Sequence, residues 1–161
     1  MKRWLGLLIG TAVLFTGEAG ACRGPIAIAS FEHQLERADL IFRGRIESVS
    51  MVDAGQPHGP KAIRFAVKRW WKGGKLTRIT VFSDGSSCGF RGFPGQEWLI
   101  LANDAKHPAT SLLSANVLLV LEDGRLAGHQ IPLSLGQRFG NGSNPSAEAA
   151  QRFPASEALH R

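Results

Sequence analysis

The chain has 161 residues, with 19 Lys and Arg against 13 Asp and Glu and a formal net charge of +6. Hydrophobic residues make up 43% and charged residues 20%, a globular balance that excludes a disordered chain, and the length suits one domain. Two cysteines are too few for a disulfide-dense miniprotein or a four-cysteine zinc site, and no apolar run reaches the roughly 20 residues of a membrane-spanning helix.

Residues 1–21 read as a secretory signal peptide. Lys2 and Arg3 form a positive start, Trp4 to Phe15 is a short apolar stretch, and Ala19-Gly20-Ala21 is a small-residue cleavage site. Cleavage there makes Cys22 the first residue of the mature chain, in a secreted or periplasmic setting where disulfides persist. A cysteine at this position also fits a lipoprotein terminus, although Ala19 stands where that motif usually has leucine.

Ser30 to Ala38 predicts a short helix capped by Ser30, with Phe31, Leu35 and Ala38 on one face. The period then changes to two. Leu40, Phe42, Gly44 and Ile46 alternate with Ile41, Arg43, Arg45 and Glu47, which predicts a strand with a bend at Gly44. Residues 52–60 read as a loop. Lys61 to Trp71 predicts a second strand with a bulge at Trp70-Trp71, and Gly73-Gly74 turns the chain. Arg78 to Ser83 and Trp98 to Ala102 predict further strands, the latter apolar on both faces. Val117 to Leu121 and Leu126 to Ile131 predict a hairpin around Asp123-Gly124. About six strands and little helix imply an all-β barrel or sandwich, with a loosely ordered tail from about Leu135.

Gly85-Ser86-Ser87-Cys88-Gly89 matches the spacing of a nucleophile elbow, but such an elbow opens a helix, and Gly92, Pro94 and Gly95 oppose one here. It reads as a Ser/Gly turn, and Asp104 and His107 have nothing to position them as its partners. The five histidines share no metal-ligand spacing, so neither a metal site nor a cofactor is expected, and the chain does not read as an enzyme. Asn141-Gly142-Ser143 is a glycosylation sequon. Between Lys61 and Arg78 lie seven cations and no acid: Lys61, Arg64, Lys68, Arg69, Lys72, Lys75 and Arg78. With Trp70 and Trp71 between them, they suggest binding to an anionic glycan or envelope component, since export disfavours nucleic acid. The plainer reading is a solvated outer strand face.

The order of these pieces resembles exported bacterial proteins related to the tissue inhibitors of metalloproteinases. Ala38-Asp39-Leu40-Ile41-Phe42-Arg43-Gly44-Arg45-Ile46 resembles their opening strand. Phe65-Ala66-Val67 with Trp71-Lys72-Gly73 resembles the second strand and its turn. Cys88-Gly89-Phe90, followed by Gly95-Gln96-Glu97-Trp98-Leu99-Ile100-Leu101-Ala102, resembles a later segment. The resemblance covers roughly residues 22–103. It implies a netrin-like module, a five- to six-stranded OB-like barrel with minor helices over residues 22–135, followed by the tail 136–161. It further implies a Cys22–Cys88 disulfide and a contact edge of Cys22, Arg23, Gly24 and Pro25. In such inhibitors the terminal amine and carbonyl of the first cysteine chelate the zinc of a secreted metalloproteinase. This chain departs from the pattern at Gly24, which replaces a second cysteine, and at Arg23, which is large and charged. The expected protein is a monomeric exported inhibitor. The alternative is a polyanion- or envelope-binding module using Arg64, Lys68, Arg69, Lys72 and Lys75.

Overall fold

The structure is a computed structural model that describes residues 30–55, 59–86, 88–111, 114–128 and 130–146. Helix α1 spans Phe31–Arg37. The Ser30 side chain accepts from the His33 N–H, Glu32 sits in the first turn and Arg37 in the last, so cap and charges all suit the helix dipole. Ala38 then takes an extended conformation and feeds β1, Leu40–Met51.

Four more strands follow: β2 Lys61–Lys72, β3 Arg78–Ser83, β4 Glu97–Ala102 and β5 Val117–Val120. They form one antiparallel sheet in the order β3-β2-β1-β4-β5. The protein is thus mostly β with two short helices, as the alternating pattern implies. The expected closed barrel is not formed: β3 and β5 end the sheet and do not pair with each other.

Among the described residues, the expected sixth strand, Leu126 to Ile131, is also absent. Leu126 makes one bridge to Val120, and Leu121 N–H bonds Arg125 O around the Asp123-Gly124 turn. Gly128 then adopts a left-handed φ of 79°, which takes the chain off the sheet edge toward α2, Leu133–Phe139. That helix and a Trp70–Ser143 bridge give order to residues assigned to a loose tail. The expected signal peptide and residues 147–161 lie outside the described residues.

Two features foretold by single residues are present. The β1–β2 register shifts beside Gly44, where a Cβ would lie 3.1 Å from Ala66 O and 3.2 Å from the Phe42 ring. Ile41 pairs with Lys72 while Phe42 pairs with Trp70, leaving Trp71 as the bulged residue. The bulge separates the two indoles. Trp70 is buried among Phe42, Phe65, Ile46, Val81 and Phe90 on one face of the sheet. Trp71 packs against the second core, where α1 and α2 cover Ile41, Leu99, Leu101 and Leu119 with Leu35 and Leu135. Phe42 meets Phe65 edge-on at 5.3 Å and Trp70 at 5.0 Å.

Gly73 carries the β2–β3 turn with φ 79°, and a Cβ there would stand 2.2 Å from the backbone oxygen of Asp39. Gly73→Ala is therefore expected to destabilise the domain by about 2 kcal/mol or more, since it adds left-handed strain to a backbone clash. Thermal unfolding of the two proteins measures this; Gly136→Ala, where a Cβ meets nothing within 4 Å, is the tolerant control.

Candidate functional site

The predicted contact edge, Cys22, Arg23, Gly24 and Pro25, lies outside the described residues. Its expected partner is within them. Cys88 follows β3 in a turn organised by Asp84, whose carboxylate accepts from both the N–H and the hydroxyl of Ser86. Ser86 Oγ in turn accepts from Cys88 N–H at 3.1 Å, and Ser86 O accepts from Gly89 N–H at 2.9 Å. Phe90 N–H donates to the buried Ser83 hydroxyl at 2.6 Å, and the Phe90 ring packs edge-on against Trp98 at 4.8 Å. Gly89 is obligatory, because a Cβ would come 2.2 Å from Asp84 O. The segment is a tight turn, as its composition implies, and no helix follows it. No described cysteine is a free thiol, and Cys88 is in the disulfide state.

Asp104 and His107 form a local turn. Asp104 sits at φ 59°, and its carboxylate accepts from the backbone N–H groups of His107 and Lys106. Those bonds hold it below the usual carboxylate range.

The candidate polyanion residues do not form one stripe. A strand alternates faces, and the Gly73 turn reverses the chain. Arg64 and Lys68 lie on the outer sheet face, beyond the part that the helices cover. Lys72 instead donates to Glu36 O at the end of α1, Arg69 lies beside Gly142, and Lys75 is in the β2–β3 turn. What joins Arg64 and Lys68 is Arg43 and Arg45 from β1 and Arg78 from β3. Glu47 binds Arg64 at 3.4 Å and Arg78 at 3.0 Å. Glu97 binds both Arg43 and Lys68.

Glu97 is the unusual group here. It is only 3% exposed, at the start of a strand that is otherwise apolar. Burial pushes its carboxyl up, but hydrogen bonds and charge from Lys68 and Arg43 outweigh this and hold it below the usual range. The two cations keep their heads partly in solvent, at 37% and 50% side-chain exposure, so one buried carboxylate pins two strands' worth of surface charge. Sequence reasoning missed Glu97, Arg43 and Arg45. The available signal was a lone acid opening the apolar run Trp98 to Ala102.

No protein-family model matches the chain, and no curated protein is significantly similar to it.

Proposed function

We propose that the chain is an exported binding domain of the netrin-like, OB-like type that acts through its mature N-terminus, and that its partner is a secreted zinc metalloproteinase. The observation that carries this reading is Cys88. It is in the disulfide state within an ordered turn, and the only other cysteine of the chain is Cys22, the first residue after the expected cleavage site. A bond between them fixes the new terminus against the Asp84–Phe90 turn at one end of the sheet. The amine and carbonyl of Cys22 then form a preorganised chelate for the zinc of the partner enzyme. An α-amino group has a pKa of about 8, so presenting the neutral amine at pH 7 costs about 1 kcal/mol, which rigid placement offsets. Arg23, next in line, favours a protease with an acidic or open specificity pocket.

One added residue tests the reading. A mature protein extended by a single alanine before Cys22 displaces the amine without touching the sheet. Against a panel of secreted zinc proteases, the mature form is expected to inhibit at least one and the extended form to lose at least about tenfold in affinity, equivalent to one lost metal ligand. Equal inhibition by both, or none by either across the panel, removes the reading.

A second reading, binding of an anionic glycan or envelope component, is favoured by the five cations gathered on the outer sheet face. Such binding fades as salt rises, because exposed charges are screened beyond about 8 Å at physiological ionic strength.

A further inference from the structure

We infer that Asn141 and Gly142 form a self-modifying site, at which the Gly142 backbone nitrogen closes on the Asn141 side-chain amide and converts the asparagine to aspartate and isoaspartate in the folded protein. The site lies at the opposite end of the sheet from Cys88. Gly142 stands against Trp70 near the end of β2, whereas Ser83, which precedes the Cys88 turn, pairs with Lys61 at its start.

The chain contains four asparagines, and the fold blocks this reaction at three of them. Ring closure needs an unengaged side-chain amide and an unengaged N–H on the next residue. The Asn116 oxygen accepts from Leu101 N–H at 2.8 Å, and its nitrogen donates to the Thr110 hydroxyl at 2.8 Å and to Ser111 O at 3.2 Å. After Asn103, the Asp104 N–H donates to an Asp39 carboxylate oxygen at 2.7 Å. After Asn144 comes Pro145, which has no N–H.

Asn141 meets both conditions. It is exposed, as is Gly142, and among the described residues neither the Asn141 amide nor the Gly142 N–H has a hydrogen-bond partner. Gly142 has no side chain to obstruct the approach. The packing itself demands that glycine: its φ is 69°, and a Cβ would lie 2.4 Å from Trp70 O.

The step balances with water alone. The Gly142 N–H loses its proton, its nitrogen bonds Asn141 Cγ, and the Cγ–Nδ2 bond breaks, so that Nδ2 leaves as ammonia with the proton. Water then opens the five-membered imide. Attack at Cγ breaks the new bond and leaves aspartate. Attack at the Asn141 main-chain carbonyl breaks the original peptide bond and leaves isoaspartate, whose chain runs through Cβ and Cγ. Either product sets a carboxylate on the cleft that Asn141 and Gly142 share with Trp71, Lys72 and Phe139.

Isoaspartate also lengthens a short tether by one backbone carbon. Gly140 N–H donates to Gly136 O at 2.9 Å at the end of α2, and Ser143 exchanges two backbone bonds with Trp70, at 2.7 and 2.8 Å. Only Asn141 and Gly142 lie between these anchors, so the longer chain is expected to release the Ser143–Trp70 bridge.

The test is peptide mapping of the mature full-length protein held at 37 °C and pH 5, 7 and 9, beside a synthetic peptide of residues 139–152. Asn141 in the folded protein is expected to gain about 1 Da and to yield two separable products. Its rate should lie within about tenfold of the peptide's, since opening an exposed, unbonded pair costs little. The rate should rise with pH, because the nucleophile is the deprotonated nitrogen. Conversion more than about tenfold slower than in the peptide overturns the site, as does earlier conversion at Asn103 or Asn116, or a glycan on Asn141 of the exported protein. Hydrogen exchange reads the tether. In the isoaspartyl protein the Ser143 amide is expected to exchange about tenfold faster, the scale of one backbone hydrogen bond. Asn141→Asp, with the same charge on an ordinary backbone, should keep that amide protected. Equal protection in the fresh and isoaspartyl proteins overturns the release of the bridge.

Discussion

Replacing Cys88 with serine is expected to be among the most damaging single changes in the chain. The proposed bond to Cys22 closes a loop of about 66 residues, and the chain-entropy relation gives roughly 4 kcal/mol for such a closure. That is a large share of the 5–15 kcal/mol typical of a domain. The side chain at position 88 is otherwise tolerant of serine, since the turn is held by Asp84, Ser86 and Phe90 rather than by sulfur packing. The variant should therefore retain its sheet by circular dichroism yet melt well below the wild type, and reduction of the wild type should reproduce the shift. A reduced wild type that melts at the oxidised temperature would show that no bond constrains the chain.

Removing both cations from Glu97 is the second large effect. Arg43→Met with Lys68→Met keeps the aliphatic stems but leaves a carboxylate that is 3% exposed without an ion-pair partner. Breaking a buried pair costs about 3–5 kcal/mol, and the partial exposure of both cations sets the expected loss near 3 kcal/mol. The sign of the pH dependence separates this from simple loss of packing. In the wild type the folded Glu97 titrates below its unfolded value. Its contribution is therefore complete above pH of about 4.3 and lost as pH falls through the folded value. In the double variant burial acts alone and raises the folded value above the unfolded one. Stability from this group is then present at low pH and lost as pH rises through the folded value. Denaturant midpoints across pH 3–7, each compared with the same background carrying Glu97→Gln, should show the Glu97 share of the pH slope reverse in sign between wild type and double variant.

The strands were legible because half-buried sheet residues alternate, and the bulge because Trp70-Trp71 breaks that alternation while each indole needs its own core. Closure was not legible. Gly44 supplies a bend, but a bend does not determine whether the sheet ends meet, and Gly128 and Pro132 divert the sixth segment to α2 instead. The charged face was half legible for a related reason. Adjacent cations along the chain are not adjacent in space, because alternation and the Gly73 turn disperse Lys72 and Lys75. Those that do gather come from residues 43–78, and the acid that organises them, Glu97, is 54 residues from Arg43. Only the pairing register brings them together, and register is a property of the sheet rather than of any one segment.

We propose that the exported protein begins at an unmodified Cys22 bonded to Cys88. Intact mass of the protein purified without reductant from the exporting cell tests it most directly. The expected mass is that of residues 22–161 less about 2 Da, the two hydrogens lost on forming the bond, with no thiol reacting until the protein is reduced. A mass carrying acyl chains, a retained leader, or two thiols that react without reduction would rule out a free Cys22 terminus bonded to Cys88.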